Sequence, residues 1–252
     1  MKIFTRRRYQ ENYVRPFIQD EETRVILGIS LMILLSGHFV MQYLGHTWFS
    51  ESFLDPTKPG FWLIITNAVF ITAILLLNKQ AGGWAWSQLG FSPGPRWWNT
   101  LLITFGVLVA VILVSQFGRP LVTGLGDEPD ISHLMVINGN FPLFLLAIIL
   151  VWITAAFLQE LVFRAFLINS LDVLLGRNER SPWIAVIISS VIFGLMHAWQ
   201  GIGGIIITGM IGFIFGTAFL LNGRKILPLI LAHGILDTIS LYIIYSSDGV
   251  MM

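Results

Sequence analysis

The sequence predicts an all-α protein, a polytopic transmembrane helical bundle with seven or eight spans. Hydrophobic residues make up 55% of the 252 residues, and charged residues only 12%. A soluble domain carries about 25% charged residues, and the mean hydropathy of this chain is +0.77. Long apolar runs recur along the chain, each close to the ~20 residues that a helix needs to cross a bilayer. This pattern excludes a soluble core with a single membrane anchor.

Composition also limits the chemistry of the protein. The chain contains no cysteine, which excludes disulfides, thiol catalysis and thiolate metal sites. Its net charge is +1 and no basic cluster lies in a folded context, so no nucleic-acid partner is predicted. Membrane lipid is the partner that the apolar composition does predict.

The candidate spans are seven apolar runs, and one of them is too long for a single crossing. They lie at approximately 25–44, 60–78, 98–117, 141–158 continuing to 175, 182–199, 202–222 and 226–245. As one helix, the long run would extend ~50 Å, against a hydrocarbon core of ~30 Å. We expect it to tilt, to break or to project into the cytoplasm, and this leaves the count at seven or eight.

Charges in the connections predict the orientation. The N-terminal segment 1–24 is rich in arginine, and the later connections alternate between basic and acidic. The basic ones are 79–97, 176–181 and 223–225, and the acidic ones are 45–59 and 118–140. Because basic loops stay in the cytoplasm, we expect a multi-pass protein of the cell inner (plasma) membrane. Its N-terminus is then cytoplasmic and its C-terminal tail 246–252 lies outside.

Tryptophans near the second and third spans predict an aromatic belt at the membrane interface. Trp84, Trp86, Trp97 and Trp98 flank these two spans. Such side chains are enriched where the bilayer meets water.

Ionisable residues at membrane depth are the candidates for function. Glu160 and Arg164 lie in the long apolar run, and their spacing of four places both on one helical face, where they can pair. A charge at the bilayer centre costs roughly 3 kcal/mol on insertion scales, and such residues mark functional sites by default. We therefore predict a buried Glu160–Arg164 pair.

Three further polar residues lie in later apolar runs and are expected to converge with this pair. They are His197, His233 and Asp237. His233 and Asp237 are four apart, so the carboxylate can accept a hydrogen bond from the ring and set its tautomer. Carboxylates and imidazoles are the groups that activate water, with or without a metal. His38, by contrast, is interpreted as a hydrogen-bonded core histidine.

Three motifs resemble those of a known family. They are Gln159-Glu160-x-x-x-Arg164, Phe193-x-x-x-His197 and His233-x-x-x-Asp237. In this order they resemble the CPBP family of intramembrane proteases, which includes the type II CAAX prenyl endopeptidases and bacterial relatives linked to bacteriocin immunity and protein processing. The loop Trp86–Phe91 also looks like that of bacterial members. The resemblance implies a catalytic helical core at 141–245, preceded by N-terminal spans and loops at 25–140.

The resemblance also implies roles for individual residues. His197 would position or activate the attacking water, His233 and Asp237 would stabilise the oxyanion at the scissile carbonyl, and Arg164 would hold the glutamate of its own motif. The sequence departs from the family at Gln159, where the family has the glutamate that looks like the general base. Glutamine can hold a water but cannot take its proton.

Glu160 is the other candidate for this base, but it lies one residue on. In an α-helix that is about 100° further round, so Glu160 is expected to point elsewhere.

The motifs leave the cofactor and the function open between alternatives. Two histidines and a carboxylate could bind zinc with an open position, and that set is Glu160, His197 and His233; a metal-free glutamate–histidine site fits equally well. The leading hypothesis is an endopeptidase that acts on a membrane-associated peptide or protein. Gln159 favours the first alternative, a catalytically impaired relative that binds a peptide or membrane partner. The intramembrane ionisable residues alone support the second, a small transporter.

Overall fold

The computed structural model describes residues 21–48, 54–81, 84–91, 97–125 and 131–247. Within these ranges all regular structure is helical, which confirms the predicted all-α class. Most of the predicted N-terminal segment 1–24 lies outside the described residues, as do 248–252 of the C-terminal tail and the acidic loop residues Asp127, Glu128 and Asp130.

Seven long helices in the described ranges correspond to the seven predicted apolar runs. They are α1 Glu21–Trp48, α2 Pro59–Ala81, α3 Trp97–Val122, α4 Phe141–Leu174, α5 Ser181–Leu195, α6 Gly201–Leu221 and α7 Leu227–Ser246. The helices α2, α3, α4, α6 and α7 are long and apolar enough to cross a membrane, and the apolar parts of α1 and α5 are shorter. The chain is thus a multi-pass helical membrane protein.

The long run at α4 is one continuous helix with a widened middle. Its first turn is capped by the side chain of Asn140, which accepts a hydrogen bond from the backbone of Leu143 at 3.3 Å. The helix is ordinary α as far as Val151, and then becomes π-helix over Trp152–Gln159 and Leu161–Ile168. Hydrogen bonds in a π-helix span five residues, and such segments are frequent at functional sites.

The helix α4 is also the centre of the bundle, because it packs against α1, α2, α5, α6 and α7. All residues of Leu161–Ile168 are buried, including Arg164. The hydroxyl of Ser189 on α5 donates to the Phe163 carbonyl at 3.0 Å, which supplies a partner for a carbonyl of the π-helical segment. Side chains placed on this stretch of α4 are therefore enclosed by protein.

A buried polar cluster joins the end of α4 to two connections. Arg224, in the turn between α6 and α7, contacts Asp172 of α4 at 2.8 Å and also donates to Asn169. The Ser181 hydroxyl at the start of α5 donates to Asp172. Asn169 in turn donates to the Gln88 carbonyl at 3.0 Å, which ties the loop 84–91 onto α4.

This loop corrects the prediction for Trp84. Trp84 is only 5% exposed and its ring lies 6.1 Å from that of Phe166, so it belongs to the core rather than to an interfacial belt. The reason is that the hydrogen bond from Asn169 folds the loop back onto α4. Trp86, Trp97 and Trp98 are at least half exposed, as an aromatic belt requires.

Candidate active site

Glu160 stands between the two π-helical segments and is fully buried. Its Oε1 lies 2.8 Å from Nδ1 of His233, and its Oε2 lies 3.2 Å from Nε of Arg164. The predicted buried pair of Glu160 and Arg164 is therefore confirmed. The bond to His233 joins α4 to α7 across 73 residues of sequence, so the first and third motifs meet in the structure.

His233 lies between two carboxylates. Its Nε2 is 3.5 Å from Oδ2 of Asp237, which confirms the predicted shared face of α7. An ionised carboxylate only accepts hydrogen bonds, so this arrangement favours a proton on both ring nitrogens. Glu160 and Asp237 are then balanced by Arg164 and the imidazolium of His233, which meets the requirement that buried charges be paired.

The guanidinium of Arg164 is enclosed by aromatic rings. Its Cζ lies 4.5 Å from the ring centroid of Phe193, 5.0 Å from that of Phe215 and 5.9 Å from that of Phe163. Nη1 and Nη2 have no hydrogen-bond partner within the described part of the chain. Ring faces attract a cation, most strongly where water is excluded. The rings therefore take the place of the missing acceptors.

His197 lies just beyond α5 rather than inside a helix. We expected the run 182–199 to be helical, but α5 ends at Leu195 and a short 3-10 turn, Ala198–Gln200, leads into α6. The chain reverses there, and Gly201 with φ of 73° makes the turn. A helix of 15 residues extends about 22 Å, so from one surface it would end inside the ~30 Å core.

The tautomer of His197 follows from its contact with the backbone. Nδ1 lies 2.7 Å from the carbonyl oxygen of Phe193 and must donate to it. A neutral ring then carries its lone pair on Nε2, the nitrogen that can take a proton or bind a ligand. The His197 ring also packs against that of Phe193, with 4.7 Å between the centroids, and Phe193 is one of the rings that face the guanidinium of Arg164.

Gln159 and Glu160 differ in their surroundings. Gln159 is half-buried, and no hydrogen bond of its side chain is recorded among the described residues. Glu160, by contrast, is fully buried: its Oε1 contacts His233, and its Oε2 lies at ion-pair distance from Arg164 but has no hydrogen-bond partner among the described residues. Its carboxylate is therefore poorly placed to act as the water-activating base in place of Gln159.

The predicted zinc ligands Glu160, His197 and His233 do not form a ligand set. Across the described residues, no group of three or more His, Cys, Asp or Glu side chains is arranged to hold a metal ion. The charge of Glu160 is instead balanced by His233 at 2.8 Å and Arg164 at 3.2 Å. As arranged, these residues do not fit zinc.

His38 is a hydrogen-bonded core histidine, as predicted. It is 4% exposed, and its Nδ1 lies 3.2 Å from the side-chain oxygen of Asn67 on α2. The sequence showed no partner because this contact joins two different helices.

Two features that bring α7 against α4 were missed by the sequence analysis. The indole of Trp152 donates to the Thr238 hydroxyl at 3.0 Å, and it lies flat where Gly234 has no side chain. A Cβ at Gly234 would lie 2.6 Å from that indole. The glycine next to His233 was the signal, since glycine allows close approach. The role of Phe215 was also missed, because nothing in the sequence distinguishes it from the other apolar residues of its run.

The comparisons agree with the three motifs. Residues 141–239 match the family model described as type II CAAX prenyl endopeptidase Rce1-like. This segment contains Gln159, Glu160, Arg164, His197, His233 and Asp237, and it confirms the resemblance over that part of the chain. No curated protein and no solved structure matches the chain.

Proposed function

We propose that this chain, whose residues 141–239 match the family model of Rce1-like type II CAAX prenyl endopeptidases, is an intramembrane endopeptidase. It would hydrolyse a peptide bond of a membrane-associated protein or peptide. The observation that carries the proposal is the 2.8 Å contact between Glu160 and His233, because it joins two motifs inside the helical bundle. An ion pair with no role in the interior could lie at the surface, where its charges remain solvated.

In this proposal His197 acts as the base. Its Nε2 takes a proton from a water while the water oxygen attacks the scissile carbonyl carbon. The tetrahedral intermediate then collapses, the C–N bond breaks, and the imidazolium of His197 returns the proton to the leaving amine. The Nδ1 contact with the Phe193 carbonyl supports this role, because it keeps the lone pair on Nε2.

His233 donates a hydrogen bond to the oxyanion in the same scheme, and Asp237 acts through His233. The Nε2–H of His233 is directed away from Glu160, and Asp237 at 3.5 Å holds the ring charged. A donor held in place before the charge develops is worth more than one that must reorient. Glu160 and Arg164 are positioning residues, since they fix the opposite side of the His233 ring.

Gln159 limits the rate in this proposal. Its amide can orient the water but cannot accept the proton, so His197 works without the carboxylate that the family has at this position. A well-positioned base typically contributes 10²–10⁴-fold, and His197 alone supplies only part of this factor. We therefore expect slow hydrolysis by the chain as it stands.

One observation favours a second function, that of a peptide-binding relative without catalysis. Gln159 replaces the family glutamate, and the carboxylate of Glu160 is fully buried and ion-paired with His233 and Arg164. In that case the polar site would bind a peptide or membrane partner and leave it intact.

Mass spectrometry on a library of membrane-anchored peptides separates the two functions. The purified chain is incubated in detergent with the library in ¹⁸O-water, beside the His197→Ala variant, with and without a chelator. We expect new C-termini that carry ¹⁸O for the parent, none for the variant, and no effect of the chelator. Peptide capture without any cleavage by the parent would favour the binding function instead.

A further inference from the structure

Phe215 lies on α6, a helix that carries none of the three motifs, yet it reaches both cations of the site. Its side chain is 1% exposed. Its ring centroid is 5.0 Å from Cζ of Arg164 and 5.6 Å from the centroid of the His233 ring, with an angle of 68° between the two ring planes. One aromatic ring thus contacts the two side chains that flank Glu160.

The guanidinium of Arg164 lacks hydrogen-bond acceptors in the described part of the chain, and the face of the Phe215 ring partly replaces them. Its terminal nitrogens Nη1 and Nη2 are buried and lack hydrogen-bond partners among the described residues. A polar group left in this state is costly, and more so when it is charged. The faces of aromatic rings carry partial negative charge. Phe193 and Phe215 therefore provide the attraction that acceptors would otherwise provide.

Phe215 cannot easily move away, because α6 packs closely against α5 at positions just before and just after it in the sequence. A Cβ at Gly212 would lie 3.2 Å from the ring of Phe193, and one at Gly216 would lie 2.8 Å from Val186. The two glycines bring the backbone of α6 up to α5, and the ring of Phe215 is then directed at the charged cluster. The contact is thus fixed by the helix packing.

We propose that Phe215 is a positioning residue, whose ring holds Arg164 and His233 in place against Glu160. Its effect on catalysis rests on the proposed peptidase function, because it acts by keeping the Nε2–H of His233 where the oxyanion forms. What matters in this proposal is the π face of the ring, beyond the apolar volume that it fills. Leucine can replace the volume but not the π face.

The activity test compares two matched variants, Phe215→Leu and Phe219→Leu, both in the Gln159→Glu background. Phe219 lies one turn further along α6, is 0% exposed, and belongs to the same apolar cluster as Phe215. Its ring makes none of the described cation contacts. We expect kcat to fall about tenfold or more for Phe215→Leu, with KM little changed. Phe219→Leu should stay within about twofold of its background.

A fluorinated ring separates charge from packing. Trifluorophenylalanine at position 215 nearly keeps the shape of the side chain but withdraws electron density from its face. If the proposal is right, kcat falls with this change as it does with leucine. An unchanged kcat with the fluorinated ring would show that Phe215 acts by packing alone, and would overturn the proposal.

A measurement without substrate keeps this inference separate from the proposed function. The chain has 5 histidines, so the ring ¹⁵N shifts of His233 can be assigned by comparison with His233→Gln. We expect the parent to show protons on both ring nitrogens, and Phe215→Leu to show a neutral form that Phe219→Leu lacks. Identical His233 spectra in both variants would contradict the proposal, whether or not any version cleaves peptides. Absence of cleavage by every version would instead count against the peptidase function.

Discussion

At the residue scale, the arrangement around Glu160 decides what each charge of the site can do. Its charge is paired with both His233 and Arg164, and the two partners come from different helices. Burial makes this pairing obligatory, since an unpaired ion inside a protein is expensive. Glu160 therefore holds the other charged side chains of the site in position and does not itself react.

The stability of the protein should depend on the ion pair between Glu160 and Arg164. Arg164→Ala strands the buried carboxylate, and we expect a loss of roughly 3–5 kcal/mol in the free energy of unfolding, as for other broken buried pairs. Thermal unfolding in detergent measures it. Arg119→Ala is the control, because Arg119 is an exposed arginine near the end of α3. Equal stability of the two variants would show that the Glu160–Arg164 pair is not the buried interaction described.

Much of this pairing could be predicted from spacing alone. Residues four apart on a helix share a face, so the pairs Glu160–Arg164 and His233–Asp237 followed directly from the sequence. The contact between Glu160 and His233 was expected only in outline, from the cost of leaving polar groups in lipid. Which atoms meet could not be predicted, because this depends on how α4 and α7 pack.

At the element scale, the π-helical winding of α4 is the feature that the sequence concealed. The run from Phe141 to Leu158 contains no charged residue, so its periodicity carries no signal that separates hydrogen bonds over four residues from those over five. The widened turns became visible only in the structure, over Trp152–Gln159 and Leu161–Ile168. The end of α5 before His197 was concealed in the same way, because apolar residues continue past it.

The contact between α4 and α7 should fail when Gly234 gains a side chain. In Gly234→Ala the new Cβ would lie 2.6 Å from the Trp152 indole, so the helices must separate and His233 must move away from Glu160. We expect a clear loss of thermal stability, in the 1–3 kcal/mol range typical of overpacking. The change should be measured beside Gly106→Ala.

Gly106 lies within α3, and a Cβ there meets no atom within 4 Å. Alanine at such a helical position should be neutral or slightly stabilising. If Gly234→Ala matched Gly106→Ala in stability, the close approach of α4 and α7 would not be a requirement of the fold.

At the scale of the whole molecule, two polar clusters hold the bundle together. The site joins the middle of α4 to α7, and the cluster of Asp172, Arg224 and Asn169 joins the end of α4 to the α6–α7 turn. Both clusters fix α7 relative to α4 through buried charges. The sequence predicted the first cluster because its residues interrupt apolar runs. It missed the second because Arg224 lies in a connection, where charges are ordinarily solvated.

The orientation in the membrane is a prediction for the whole molecule. The chain has no cysteine, so single cysteines can be introduced without removing others. Glu179→Cys, in the exposed connection between α4 and α5, should react with an impermeant reagent from the cytoplasmic side, and Asp127→Cys from the outside. Labelling of both positions from one side, or in the reverse pattern, would contradict the predicted topology.

The central claim is that the polar site formed by α4, α7 and the turn after α5 hydrolyses peptides, and that Gln159 limits its rate. The most direct measurement is the single-turnover cleavage rate of one identified peptide by the parent and by Gln159→Glu. Each is measured both with and without the additional change His197→Ala. We predict that glutamate replaces His197 as the base and raises the rate by up to about 10²–10⁴-fold. His197→Ala should abolish the gain, because His197 then positions the attacking water. An unchanged rate in Gln159→Glu, with the peptide still bound, would contradict the claim.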